Sequence, residues 1–285
     1  MDRLLELGGA VPHRRFIDCG GVRVHVLEQG AGPALLLLHG GGGGAANWYR
    51  LLPHLTAHRV IAPDLPGFGL SDDVEPRAPL GRQAAEIAVA LLDALDVPRV
   101  SVLGTSFGGL AALRLAQHFP GRVDRLVLVD SAGLGAAVPR RVRAAALPLV
   151  RRWALRSSPE GTRWLLRSLL TSAPLEPAHE EALVRYLHAS AAAHADVVPR
   201  ALLAFLGGAG QRERCSRGEL GSVRAPTLVV WGECDRFFPL AQARASVPCF
   251  RNARLEVLPH VGHSPNWEVP LELIDRIRPF LAAHE

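Results

Sequence analysis

Short apolar runs alternate with helical periodicity along most of the chain, and this alternation is what most narrows its fold. The runs are "ALLLLHG" (34–40), "RVIAPD" (59–64), "RVSVLGTS" (99–106), "RLVLVDS" (125–131), "TLVVWGE" (227–233) and "RLEVLP" (254–259). Each is apolar on consecutive residues, the pattern of a strand buried on both faces. Helical spacing falls between them: 47–57, "RQAAEIAVALLDAL" within 80–95, "GLAALRLAQHF" (109–119), about 239–246, and a terminal stretch from about 267. Residues 14–29 alternate instead, as a hairpin closed near Gly20-Gly21. The sum is an α/β protein with a mostly parallel eight-stranded sheet and helices on both faces. One helical stretch, 136–222, breaks the alternation after the sixth strand. It is expected to be a cap inserted into a core formed by 1–135 and 223–285, lying over the carboxyl ends of the strands.

At 285 residues and 48% hydrophobic, the chain has enough apolar content for a large core. No run reaches the roughly 18 apolar residues of a membrane span. The N-terminal "MDRLLELGGAVPHRRF" has acids within its short apolar run and lacks a signal-peptide layout. Cys19, Cys215, Cys234 and Cys249 are widely spaced without a C-x-x-C pair, as expected of reduced thiols in a cytoplasmic protein. The net charge of +5 comes from arginine alone, since the chain contains no lysine. The arginine-rich segment 139–167 reads as the solvated face of amphipathic helices, and no nucleic-acid surface is expected. Homodimerisation stays open.

"HGGGGGAANW" (39–48) places five glycines after a strand. Two readings compete there. Gly40-x-Gly42-x-x-Ala45, with Asp64 about 20 residues on, fits a dinucleotide loop. Alternatively, side-chain-free N–H groups line a site for a developing oxyanion. Gly104-Thr105-Ser106-Phe107-Gly108 tips the balance, because G-x-S-x-G stands at a strand-to-helix junction. There the serine sits on a strained turn that lifts its oxygen clear of the sheet, beside a helix N-terminus. A serine needs a base, and the base needs an acid to hold its ring. Asp235 in "WGECDRFFP" and His263 in "LPHVGHSPNWE" follow Ser106 in that order, on loops after strands. His260 is the alternative base and Asp130, ending "LVLVDS", the alternative acid. The dinucleotide reading leaves all three catalytic candidates unexplained, so Asp64 becomes a loop-organising residue. "HEEALVRYLH" (179–188) separates its histidines by nine steps of about 100°, on opposite helix faces, so no metal site is expected.

With "HGGGGG", "DLPGFGLSD", "GTSFGG", "WGECDRFFP" and "HVGHSPNWE" in this order, nearly the whole chain resembles the α/β-hydrolase superfamily, in its serine hydrolase branch. That resemblance implies Ser106 as nucleophile, His263 as general base and Asp235 as its orienting acid. It also implies an oxyanion hole from the N–H groups of Phe107 and of Gly41 or Gly42. It implies no cofactor, water being the second substrate beside a small molecule.

Within the superfamily, the chain looks most like the meta-cleavage-product hydrolases, which break a C–C bond in dienone acids. Trp48, Arg185 and Trp267 are the substrate-binding residues so implied, with Arg185 as carboxylate clamp. Thr105 and Arg50 depart from that group, where asparagine is usual at both positions, and Arg185 is one position out of register. The expected reaction is therefore cleavage of a neutral carboxylic ester, under a roof including Leu147, Leu149, Trp153, Leu165 and Leu169. Dienone-acid cleavage is the second reading, and a ligand-binding protein with a silent triad the third.

Overall fold

The computed structural model describes residues 1–145, 158–207 and 210–282. Among these, eight strands form one sheet: β1 His13–Asp18, β2 Arg23–Gln29, β3 Ala34–Leu38, β4 Arg59–Pro63, β5 Val100–Thr105, β6 Val123–Val129, β7 Thr227–Gly232 and β8 Ala253–Leu258. Their spatial order is β1-β2-β4-β3-β5-β6-β7-β8. β2 runs antiparallel to β1 and β4, and every other pair is parallel. β5 lies in the middle, with Leu36 opposite Val102 on one side and Leu103 opposite Val127 on the other. Because β5 to β8 are parallel, the loops after them, carrying Ser106, Asp130, Asp235 and His263, all open at one edge.

Both faces of the sheet are covered, which explains the unbroken apolar runs. Leu36 and Leu38 of β3 point into one cluster, with Val102, Leu110 and Ala88. Leu35 and Leu37 point into the other, with Leu103, Trp48 and Ile274. A period of two divides one leucine run between two cores. The helices Leu80–Ala94 and Phe107–His118 pack on the first face, and Pro270–Ala282 on the second.

One expectation needs correction. Residues 47–57 form no helix but two 3₁₀ turns, Ala45–Trp48 and Leu52–His54. Trp48, Tyr49, Leu51 and Leu52 are all wholly enclosed, so burial here does not follow one helical face, and Pro53 lacks the N–H that a longer helix would use. The N-terminus, which the sequence pattern leaves without an assigned element, is a helix, Asp2–Gly8. It buries Leu4 and Leu5 and ends at Gly9 in the left-handed conformation (φ 69°).

Between β6 and β7 the chain runs through the helices Arg140–Ala145, Pro159–Leu165, Pro177–Ala193, Val198–Phe205 and Arg217–Gly221. Leu147, Leu149 and Trp153 lie outside the described residues. Leu169 is buried and Leu165 half-buried. Among the described residues, no helix is long and apolar enough to cross a membrane.

Candidate active site

Ser106 stands between β5 and the helix Phe107–His118 with φ 52° and ψ −119°, a conformation that strains any residue with a β-carbon. Several contacts hold it there. Its N–H donates to the Val129 carbonyl at 3.0 Å, and its own carbonyl accepts from Gly109 and Ala132, each at 3.0 Å. The flanking glycines are sterically required: a β-carbon on Gly108 would strike the Leu38 carbonyl, and one on Gly104 the Gly108 carbonyl. As first residue of the helix, Phe107 has an N–H with no partner in a preceding turn.

His263 Nε2 lies 3.0 Å from Ser106 Oγ, and His263 Nδ1 lies 2.8 Å from Asp235 Oδ2. The other oxygen of Asp235 accepts the N–H groups of Phe237 (2.6 Å) and Phe238 (2.9 Å). Both phenyl rings then pack on the imidazole. Phe237 is stacked at 5.0 Å between centroids with 25° between planes, and Phe238 meets it edge-on at 5.2 Å. "DRFF" is thus one device, an acid held by two backbone N–H groups whose side chains wall the histidine. The double phenylalanine beside the acid was the available sequence signal for it.

Glu268 performs a similar task for the histidine loop. Its carboxylate accepts Gly262 N–H at 2.9 Å, Ser172 N–H at 2.7 Å and Ser172 Oγ–H at 2.6 Å. His260, the alternative base, is exposed, and its carbonyl oxygen lies 2.6 Å from Ser172 Oγ, where it shares that hydroxyl proton with Glu268. Its ring nitrogens enter none of the Ser106 contacts described above.

The glycine run faces the nucleophile. A β-carbon on Gly40 would sit 3.2 Å from Ser106 Cβ, and one on Gly41 4.0 Å from Phe107 Cβ. Gly42 has φ +83° with open space around it, whereas side chains on Gly43 and Gly44 would collide with Asn47 and with Tyr186 and Asp64. So the run is fitted tightly behind and open in front. His39 fixes its start: Nε2 accepts the Leu65 N–H at 2.8 Å, which leaves the proton on Nδ1 to donate to the Gly40 carbonyl at 2.8 Å. Burial lowers the pKa of His39 and keeps it neutral. Asp64, wholly buried, accepts from Ala45 N–H at 2.5 Å, Leu70 N–H at 2.9 Å and the His25 ring at 2.8 Å. It braces the loop from inside the protein, which leaves no place for a ribose.

The residues expected to bind substrate fare differently. Trp48 is wholly enclosed within a core cluster. Trp267 is buried, its Nε1–H donating to the Asn47 carbonyl at 3.0 Å and its own carbonyl accepting from Arg50. Both indoles are thus part of the protein interior, and Trp267 holds the turn at Asn47 that follows the glycine run. Arg185 is not brought to the site. It is 79% exposed, pairs with Glu181 at 2.8 Å one helical turn away, and lines a surface hollow with Met1, Arg3 and Leu4. The inward position on that helix belongs to Tyr186, which is buried beside Gly44.

Three comparisons bear on this arrangement. A 2-hydroxy-6-oxo-6-phenylhexa-2,4-dienoate hydrolase from Burkholderia cepacia is 31% identical over 266 residues, covering 86% of each chain. The crystal structure of a hydrolase of the same name from Rhodococcus sp. strain RHA1 has a TM-score of 0.85 at 24% identity. That match covers 96% of this chain and 99% of the other and shows a shared fold. A membrane phospholipase A, described as a bacterial virulence factor, is 28% identical with a TM-score of 0.79, covering 98% of this chain and 87% of its own. The family model for the alpha/beta hydrolase fold matches residues 33–270. The chain belongs to the alpha/beta hydrolase fold family.

Proposed function

We propose that this protein is a serine hydrolase that cleaves neutral carboxylic esters through an acyl-enzyme. The observation that carries the reading is the hydrogen-bonded series from Ser106 Oγ through His263 to Asp235, at 3.0 and 2.8 Å. His263 takes the Ser106 proton as the oxygen attacks the ester carbonyl, and Asp235 stabilises the imidazolium that forms. The N–H groups of Phe107 and Gly41, with Gly42 beside them, receive the oxyanion. His263 next returns the proton to the leaving alcohol, and water repeats the sequence on the acyl-enzyme. Residues 136–222 serve as the cap over this site.

The ester preference is supported by the outward position of Arg185, since a buried substrate carboxylate without a cationic partner is strongly disfavoured. The phospholipase likeness agrees with it. A second reading, hydrolysis of a dienone acid, is favoured by the name of the Burkholderia cepacia relative. The test has two parts. A fluorophosphonate should label Ser106, and labelling at any other serine refutes the nucleophile. The kcat/KM for nitrophenyl esters should exceed that for a dienone dioate, and a tenfold preference for the dioate replaces the first reading by the second.

A further inference from the structure

Asp130 and Asp235 follow neighbouring parallel strands, β6 and β7, and both are buried. Their hydrogen bonding is unequal. Asp235 receives two backbone N–H groups on one oxygen and His263 Nδ1 on the other. Asp130 Oδ1 receives only the Gly232 N–H, at 2.9 Å. Its Oδ2 is enclosed and meets no donor among the described residues. Yet Asp130, Asp235 and His263 each bring a ligating atom within 4.8 Å of the other two.

An ionised carboxyl only accepts hydrogen bonds, so an ionised Asp130 would bury an unsatisfied oxygen beside a second anion. Two adjacent buried carboxyls do not both ionise readily, and the proton resides where donors are fewest. That place is Asp130. Burial first, then the charge of Asp235, push its carboxyl well above the usual carboxylate range, with Glu268 adding to the push and the Gly232 N–H opposing it. The ionisable groups facing it are Asp235 from the loop after β7, His263 from the loop after β8, and Glu268 from the helix Pro265–Glu268.

We propose that Asp130 is a protonated carboxylic acid that donates a hydrogen bond to Asp235 and so acts as a positioning residue behind the Ser106–His263–Asp235 series. The inference rests on the serine-hydrolase reading of that series. It makes the orphan oxygen of Asp130 a donor, and it gives Asp235 four donors in all. Asp235 stays an anion with its free lone pairs directed, and the resting site carries one negative charge rather than two.

The test compares kcat/KM against pH for a neutral nitrophenyl ester in wild type, Asp130→Leu, Asp130→Asn and Asp235→Asn. Asp130→Leu removes the donor, so Asp235 becomes a stronger base. The acid limb of the profile is then expected to move to higher pH, with kcat falling by up to about 10²-fold. Asp130→Asn supplies an uncharged donor of the same shape and is expected to restore both the limb and most of the rate. If Asp130 were ionised, the Asn variant would remove a negative charge, and the limb would move to lower pH; that result overturns the proposal.

Infrared spectroscopy of the wild type provides a readout that does not depend on any variant folding. A protonated-carboxyl C=O stretch is expected at neutral pH, shifting in D₂O, and its absence refutes the proposal. So does a stoichiometric metal ion found by elemental analysis at these three residues. An active Asp235→Asn with an inactive Asp130→Asn would show Asp130 to be the triad acid and overturn both readings of the acids. Failure of fluorophosphonate to label Ser106 strikes the hydrolase reading alone, while the infrared band still reports the Asp130 proton.

Discussion

The sheet and the described helices between β6 and β7 are stabilised differently. Every residue of β7 is buried, as are nine of the residues in the helix Phe107–His118. In the insertion, by contrast, the helices Pro159–Leu165 and Val198–Phe205 bury none of their residues. Arginine–glutamate pairs recur there: Arg163 with Glu180 and Glu181, Arg167 with Glu180, and Arg185 with Glu181. Glu180 is buried and receives two of these arginines, whereas the exposed Arg185–Glu181 pair adds little stability and is weakened further by salt. The lesson is a division of labour. Groups that need fixed geometry stand at the ends of strands whose backbone ladders and apolar packing admit one arrangement, while the described helices between β6 and β7 carry charged pairs along their surface.

Changes at the strand ends should therefore act on rate, and changes in the insertion on fit or stability. The largest effect is expected for Ser106→Ala, which should lower kcat by about 10⁵–10⁶ with no loss in melting temperature. An ester assay beside a thermal melt decides it, and a variant keeping a tenth of the activity would remove Ser106 from the chemistry. Next is Arg114→Met. Arg114 lies on the helix Phe107–His118 and pairs with Glu213 (3.2 Å) and Glu219 (2.5 Å), where the insertion returns to the core. Its own side chain and that of Glu213 are buried, so the variant strands an anion and should cost about 3 kcal/mol in urea unfolding. A loss below a quarter of that would mean that the clasp is solvated.

A smaller, pH-dependent effect belongs to Glu219. Burial raises its carboxyl, but the Ser216 N–H and Arg114 outweigh it and hold the group at about 2, against 4.5 for the free side chain. Since the folded value is depressed, its stabilisation is present above about 4.5 and lost as the pH falls toward about 2. Between pH 5 and 3 the wild type should lose more melting temperature than Glu219→Gln, and equal losses would contradict the assigned pairing. The smallest effect is expected for Arg185→Ala. With its side chain 79% exposed, the ratio of kcat/KM between a neutral ester and a dienone dioate should stay within about twofold. Loss of dioate turnover alone would mean that this arginine reaches the site after all.

Legibility in the sequence followed the range of the interactions. "GTSFGG", "WGECDRFFP" and "HVGHSPNWE" each announce a strand end and a tight loop from a few consecutive residues, and the His263 ring links Ser106 to Asp235 by hydrogen bonds. Helical periodicity failed over 47–57, because Trp48, Tyr49, Leu51 and Leu52 are all enclosed and do not mark out one helical face. The resemblance pointed to Arg185, which is exposed and stands one residue from the buried Tyr186. A step of about 100° around a helix turns a side chain from the interior to solvent, and nothing local says which of two neighbours faces in.

By itself, the sequence determined the alternating elements, the strand-end residues and the strained turn at Ser106, all of which depend on local backbone chemistry and on a period of two or 3.6. Tertiary structure alone decided which residues became neighbours across the sheet edge. The pairing of β6 with β7 places Asp130 beside Asp235, 105 positions later in the chain. The helix Pro177–Ala193 sets Tyr186 behind Gly44, and the fold brings Ser172 under Glu268. Register and packing are collective outcomes of the whole buried surface, and no short stretch of residues encodes them.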